Sequence, residues 1–404
     1  LNRSSPTQIG TGSAWTKLVF TGVGSQCAID TNKKLWMWGC TYENNAGGNN
    51  LTASRSPTLI DSTNGFVKVL TAQNYNAIYG SVYQPVVALK SDGTLWGWGG
   101  MIGLGSVSPS SETIFRSSPT QIGTGSNWTK KYCLWSPHFS IFGDVQVACM
   151  FINGSGQLWR ISSDIQRVGT GSSWSDVTAI GNASNAPYGI YMCLQSNGTR
   201  WGCGWNLYGA LGTGNTVDAF NNGSPSRLDS ATNWSRIYGH YFSGLGIRTD
   251  GTLWSWGRNE QGYLGLGDTV DRSSPTQVGT GTNWKHVSTF PYPLGVTLAI
   301  KTDGTLWSWG YGGYGCIGNG TYDSKSSPIQ IGTGTNWVSA SAGLFNCFAL
   351  KSDGTLWGWG YSTTTFAPGG LRSSDTTSPV QIGALTTWKD VTTGPFQTLL
   401  IGTA

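Results

Sequence analysis

Short runs recur along the chain in which tryptophans stand at alternate positions between small or polar residues and the run closes on glycine. The clearest is Leu306-Trp307-Ser308-Trp309-Gly310. A two-residue period over so few positions is that of a β-strand with one face buried, and no ten-residue stretch carries the helical period. Asp303 to Gly310 recurs nearly unchanged at 250–257, 353–360 and 92–99, with weaker copies at 32–39, 155–162 and 197–204. The leading tryptophans Trp36, Trp96, Trp159, Trp201, Trp254, Trp307 and Trp357 are spaced by 60, 63, 42, 53, 53 and 50 residues, a unit of about 53.

A second element alternates with the first: Ser-Pro-x-Gln-Ile-Gly with a tryptophan nine residues after the proline, as in Pro6 to Trp15, Pro119 to Trp128, Pro275 to Trp284, Pro328 to Trp337 and Pro379 to Trp388. Each unit then predicts four strands. Gln277-Val278 is a short edge strand opened by proline, which an edge tolerates because its missing donor can face solvent. Three more follow at 284–288, 297–301 and 305–309. Asp303-Gly304 reads as a two-residue hairpin turn, which sets Ile300 opposite Trp307, Leu298 opposite Trp309 and Ala299 opposite Ser308. By the same count Ala88 faces Gly97, Gly246 faces Ser255, Ala349 faces Gly358 and Phe151 faces Arg160. A sheet with one aromatic and one nearly flat face stacks on its neighbour, bulky side to small side, and a ring of such stacks is a propeller. Units three and four depart from this pattern, with Arg160 in one and Cys203 at the second tryptophan position of the other.

Composition agrees with many short strands and tight turns: Gly 60, Trp 21 and 11% charged residues. The net charge of +5 is dispersed, with Lys33-Lys34 and Lys130-Lys131 as the adjacent basic pairs, so no nucleic-acid patch is expected. No stretch reaches the roughly 18 apolar residues that span a bilayer, and membrane insertion is not expected. Leu1-Asn2-Arg3-Ser4-Ser5 is neither a start methionine nor a signal peptide.

The order Ser-Pro-x-Gln-Ile-Gly, Trp-x-x-Val, then Ala-Leu-Lys-x-Asp-Gly-Thr-Leu-Trp-x-Trp-Gly, then a loop such as Gln261-Gly262-Tyr263-Leu264-Gly265-Leu266-Gly267, resembles the repeat of the RCC1-type β-propeller family. Tyr208-Gly209-Ala210-Leu211-Gly212 and Tyr314-Gly315-Cys316-Ile317-Gly318 are further versions of that loop. The resemblance implies an all-β fold of four-stranded antiparallel blades over 1–404, a single propeller of about seven and a half repeats with seven blades, or eight as the alternative. Near-identity of the units is typical of bacterial, environmental and phage members. The family's guanine-nucleotide exchange on a small GTPase resides in loops with no match in this sequence.

His138, His240 and His286 share no metal-like spacing with other ligands, no phosphate-cradling glycine loop opens a helix, and neither a cofactor nor an enzymatic activity is expected. Cys133 and Cys149 fall on strands that are candidate neighbours and are the one disulfide candidate; the alternative is buried free thiols. Insertions that break the repeat carry the candidate interaction residues, Tyr42, Glu43, Tyr83, Met101, Ile114, Phe115, His138, Phe139 and Tyr188, because loops on a rigid ring are where recognition sits. The expected function is a non-enzymatic structural or adhesive module, extracellular or on a virion surface, whose partners are copies of itself or other surface proteins. A glycan-binding lectin and an intracellular GTPase-binding regulator are the alternatives. The first half of the unit occurs eight times and the second half seven, so 31 strands are expected. That remainder predicts closure between the termini, or strand exchange that builds an oligomer.

Overall fold

The structure, a computed structural model, describes residues 15–22, 25–39, 54–61, 63, 65–71, 86–100, 115–128, 132–134, 149–161, 165–180, 190–290, 295–361, 375–393 and 398–402. Among these, the strands form seven four-stranded antiparallel sheets and one two-stranded pair, and helix is confined to two 3-10 turns, Leu207–Gly209 and Asn221–Gly223. In chain order the sheets lie within 15–61, 66–121, 132–167, 174–227, 234–277, 284–330 and 337–381, here blades 1 to 7, and Trp388–Thr393 pairs with Thr398–Gly402. Strands within a blade are lettered a to d. In blade 6 they are Trp284–Thr289, Val296–Lys301, Leu306–Gly310 and Lys325–Gln330. The strands cluster into two compact units, one drawn from residues up to 177 and the other from 190 onward.

The proline strand does not open a blade. It is strand d and pairs with strand c of the preceding repeat, as Gln277 does with Trp254 in blade 5. It holds the edge that the sequence assigned to it, so Pro275 withholds no ladder donor from an interior strand. The Gly-Thr-Gly turn after it carries the chain to the next sheet.

The b–c hairpin also differs from its expected form. Lys301 N donates to Thr305 O at 3.1 Å and Gly304 N to Lys301 O at 3.0 Å, and Gly304 has φ 76°. The loop therefore has three residues, Thr302-Asp303-Gly304, with glycine alone in the left-handed region. Every facing pair moves by one. Trp307 lies opposite Ala299, Trp309 opposite Thr297 and Ser308 opposite Leu298. Likewise Trp96 faces Ala88, Trp254 faces Gly246, Trp357 faces Ala349 and Trp159 faces Phe151.

The corrected register explains the packing. A large side chain on one strand meets a small one across the ladder, and which strand carries the large one alternates along the hairpin: Trp307 over Ala299, Leu298 over Ser308, Trp309 over Thr297. Neither face is flat. Blade 4 inverts the last pair, with Tyr191 opposite Cys203, so the bulk moves from strand c to strand b and total volume is kept. Both are buried, and the Tyr191 hydroxyl donates to Gly223 O. In the unit that begins near 190, successive blades are latched by their second tryptophans: Trp256 Nε1 donates to Ala210 O at 3.0 Å, Trp309 Nε1 to Tyr263 O at 2.8 Å and Trp359 Nε1 to Cys316 O at 2.8 Å. In the unit before 177, Cys27, Ile29, Leu35 and Met37 of blade 1 form one core with Phe66, Val69, Val86, Ala88 and Trp98 of blade 2.

Candidate functional site

The blade end opposite the Asp-Gly hairpins is built from c–d loops and from the residues that precede strand b. A buried asparagine shapes the c–d loop in blades 4 and 5. Asn259 Oδ1 accepts Leu264 N at 2.9 Å, and its amide donates to Asp268 O and Val270 O at 3.0 and 3.1 Å. Asn206 makes the same bond to Leu211 N at 2.8 Å. With the loop backbone fixed from inside, the side chains around it are held outward at set positions.

Three of those positions recur as a cluster. At the junction of blades 4 and 5, Tyr208 packs on Phe242 with centroids 5.8 Å apart, and the Arg258 guanidinium lies 4.8 Å from the Tyr208 ring. At the junction of blades 6 and 7 the equivalent residues are Tyr314, Phe345 and Tyr361, with centroids 4.8, 5.0 and 5.8 Å apart in mutual edge contact. Tyr241 meets Phe242 edge-on with centroids 4.6 Å apart, and Tyr311 lies 6.1 Å from Tyr314. Arg258 is also paired with Glu260. Apart from the buried Phe242, these aromatics are half-buried. Rigid aromatics beside an arginine are the side chains that dominate protein interfaces, since they offer large area at little rotamer cost.

Beneath this surface His240 is fully buried, its Nδ1 lying 3.1 Å from Ser243 Oγ and its ring 5.0 Å from that of Tyr263. Burial lowers its pKa from 6.5 to about 4, so it is neutral near pH 7. Among the described residues no group of three His, Cys, Asp or Glu is gathered as a metal site would require.

Of the nine interaction residues anticipated from sequence, the structure describes one. Tyr42, Glu43, Tyr83, Met101, Ile114, His138, Phe139 and Tyr188 lie outside the described residues, and Phe115 opens strand d of blade 2. Cys133 and Cys149 are on neighbouring strands, as expected, but Cys133 is across from Met150 and Cys149 from Leu134. A bridge between them would need that ladder to slip by one residue. Among the described cysteines Cys27, Cys316 and Cys347 are buried free thiols, and Cys193 and Cys203 are buried as well. Sequence reasoning passed over Tyr208 and Tyr314 because they belong to the repeat; the usable signal was that Gln261 fills the same place equally well, so the fold does not require tyrosine there.

Comparison with known proteins agrees with this architecture. The family model for the "Regulator of chromosome condensation (RCC1) repeat" matches residues 250–289 and 303–350. The chain is 22% identical to the ultraviolet-B receptor UVR8 of Arabidopsis thaliana, over 78% of this chain and 69% of that protein. It is 29% identical to the regulator of chromosome condensation of Xenopus laevis, over 35% of this chain and 33% of that one. Among solved structures, Prp20p of Saccharomyces cerevisiae, characterised for its binding to Gsp1p and histones, superposes with a TM-score of 0.60 at 16% identity, covering 96% of this chain and 82% of the other. Human WBSCR16 gives 0.60 at 16% identity, covering 99% and 89%. The fold class is thus the seven-bladed, all-β propeller. Residues 250–289 and 303–350 of the chain match RCC1 repeats.

These relatives overturn the expected placement outside the cell or on a virion, and with it the structural or adhesive role and the partners expected among copies of the chain and other surface proteins. They are an ultraviolet-B receptor and a regulator of chromosome condensation, and the solved neighbour binds Gsp1p and histones. Low charge and dense backbone pairing are demands of stacking blades and carry no information about compartment.

Proposed function

We propose that the chain is an intracellular regulator of the GTPase-binding type, which acts by holding a protein partner against its c–d loop end and performs no covalent chemistry of its own. The observation that carries this reading is the recurrence of one half-buried cluster, Tyr208 with Phe242 and Arg258, then Tyr314 with Phe345 and Tyr361, at equivalent positions of two blade junctions. Prp20p, which shares the fold, binds Gsp1p and histones, and this makes those two the partners to try first. The insertions bearing Tyr42, Tyr83, Met101, His138 and Tyr188 are proposed as secondary contacts.

The test is equilibrium binding of the purified chain to Gsp1p and, separately, to core histones. Tyr314→Ala and Arg258→Ala are each expected to weaken the productive interaction about tenfold or more, the loss typical of an interface anchor, with the melting temperature preserved. Binding that both variants leave unchanged would remove the aromatic end from the account. Absence of binding to either protein would remove the partner class.

A further inference from the structure

The three tryptophan latches bring the same two positions together at three successive junctions: the c–d loop residue whose carbonyl accepts the indole, and the strand b residue across from that tryptophan. The pair is Ala210 with Gly244, then Tyr263 with Thr297, then Cys316 with Cys347. At the third junction both residues are buried, at 1% and 0% exposure. Cys347 Sγ donates to Cys316 O at 3.5 Å, and Cys316 Sγ donates to Phe345 O at 3.0 Å.

We propose that Cys316 and Cys347 are an oxidisable dithiol, and that a peroxide-class oxidant converts them to a disulfide joining the c–d loop of blade 6 to strand b of blade 7. One thiol attacks a peroxide oxygen to give a sulfenic acid and water. The second thiol then attacks that sulfur, forming the S–S bond and releasing a second water; two electrons and two protons pass from the dithiol to the peroxide. Burial raises the Cys347 pKa, and the thiolate is the reactive form. The buried pair is therefore slower to oxidise than an exposed thiol. Once formed, the bridge fixes two members of the second aromatic triad, because Tyr314 and Phe345 each precede one of the cysteines by two residues. This last consequence rests on the proposed recognition surface; the bridge itself does not.

The experiment treats the folded protein with hydrogen peroxide, then denatures, alkylates and digests it for mass analysis. The expected product is a linked pair of peptides containing Cys316 and Cys347, lighter than the two reduced peptides by two hydrogen atoms and separated by reductant. It should be missing from Cys347→Thr, which places at this junction the residue that blade 6 carries. Limited proteolysis within 311–325 should slow at least tenfold on oxidation. Recovery of both cysteines as separate alkylated peptides, or joined to other cysteines, from protein that has kept its circular dichroism would overturn the proposal. An unchanged cleavage rate in cross-linked protein would overturn the clamping of the loop.

Discussion

Blades 4 and 6 follow the same repeat and are stabilised in different ways. In blade 6 strand c begins with Leu306, fully buried among apolar neighbours, as Leu253 and Leu356 are in blades 5 and 7. In blade 4 that place is taken by Arg200, also fully buried. Its guanidinium donates to Asp229 Oδ2 at 2.8 and 3.0 Å, to Leu211 O at 2.7 Å and to Gly212 O at 3.0 Å, and its face lies 4.2 Å from the Trp256 ring centroid. Asp229 occupies a position that is Gly332 in blade 6, and its other oxygen accepts Ala231 N at 3.0 Å. The charge is tolerated because its donors are met and the carboxylate lies beside it. What the repeat fixes is therefore the filled volume and the satisfied backbone, and residue identity can vary so long as its partners vary with it.

The largest effect expected from breaking this contrast comes from Arg200→Ala. It leaves Asp229 without its cation and two loop carbonyls without a donor, and should cost roughly 3–5 kcal/mol of unfolding free energy. Urea denaturation measures this directly. The double variant Arg200→Leu with Asp229→Gly, which gives blade 4 the residues of blade 6, should regain at least half of the loss. If Arg200→Ala unfolds with the parent protein, the buried ion pair is not what holds blade 4.

The contrast also marks what the sequence could reveal. Strand positions, the proline edge and the repeat length were legible because period-two runs and glycine turns recur in it. The register was not, because Asp303-Gly304 satisfies both a two-residue turn and the three-residue loop actually formed. The bonds from Lys301 N to Thr305 O and from Gly304 N to Lys301 O separate the two. Since a strand shows alternate faces, that single residue reversed each assigned pairing. Arg200 could be seen as a departure, but Asp229 is 29 residues away and its role depends on the c–d pairing that brings the two together. Cys316 and Cys347 were hidden for a similar reason, being on different blades. In the candidate site the repeat itself hides the signal, because Tyr208 and Tyr314 also fit the pattern of a loop-forming residue.

A second, smaller effect compares blade 5 with its neighbours. His240 stands where blade 6 has Phe290 and blade 4 has Ile180, all three buried. Burial holds His240 near pKa 4 against 6.5 in the unfolded chain. Above pH 6.5 both states are neutral there and stability is unaffected. As pH falls from 6.5 toward 4 the unfolded state takes up the proton first, so stability is lost across that window, by up to roughly 3 kcal/mol from this residue. His240→Phe should show a correspondingly flatter decline between pH 7 and pH 4.5 in denaturant midpoints. Parallel declines in the two proteins would mean that His240 reaches solvent.

The smallest effect tests a feature that blades 4 and 6 share. In both, a threonine after the hairpin loop links a turn residue to the first tryptophan of strand c. Thr305 Oγ1 donates to Asp303 Oδ1 at 2.7 Å and accepts Trp307 Nε1 at 2.8 Å; Thr199 Oγ1 donates to Asn197 Oδ1 at 2.7 Å and accepts Trp201 Nε1 at 2.9 Å. Valine keeps the shape and removes the relay. Thr305→Val should cost about 1 kcal/mol and Thr199→Val about half of that, because the carboxylate in blade 6 is the stronger acceptor. The Thr305 hydroxyl and then its backbone N–H hold the Asp303 pKa below its usual value. The difference between the variants should therefore persist through neutral and mildly acidic pH and close only once Asp303 is protonated, below the ordinary aspartate range. Equal losses at neutral pH would show that solvent screens the charge completely, and that the two hairpins are energetically alike despite their different turn residues.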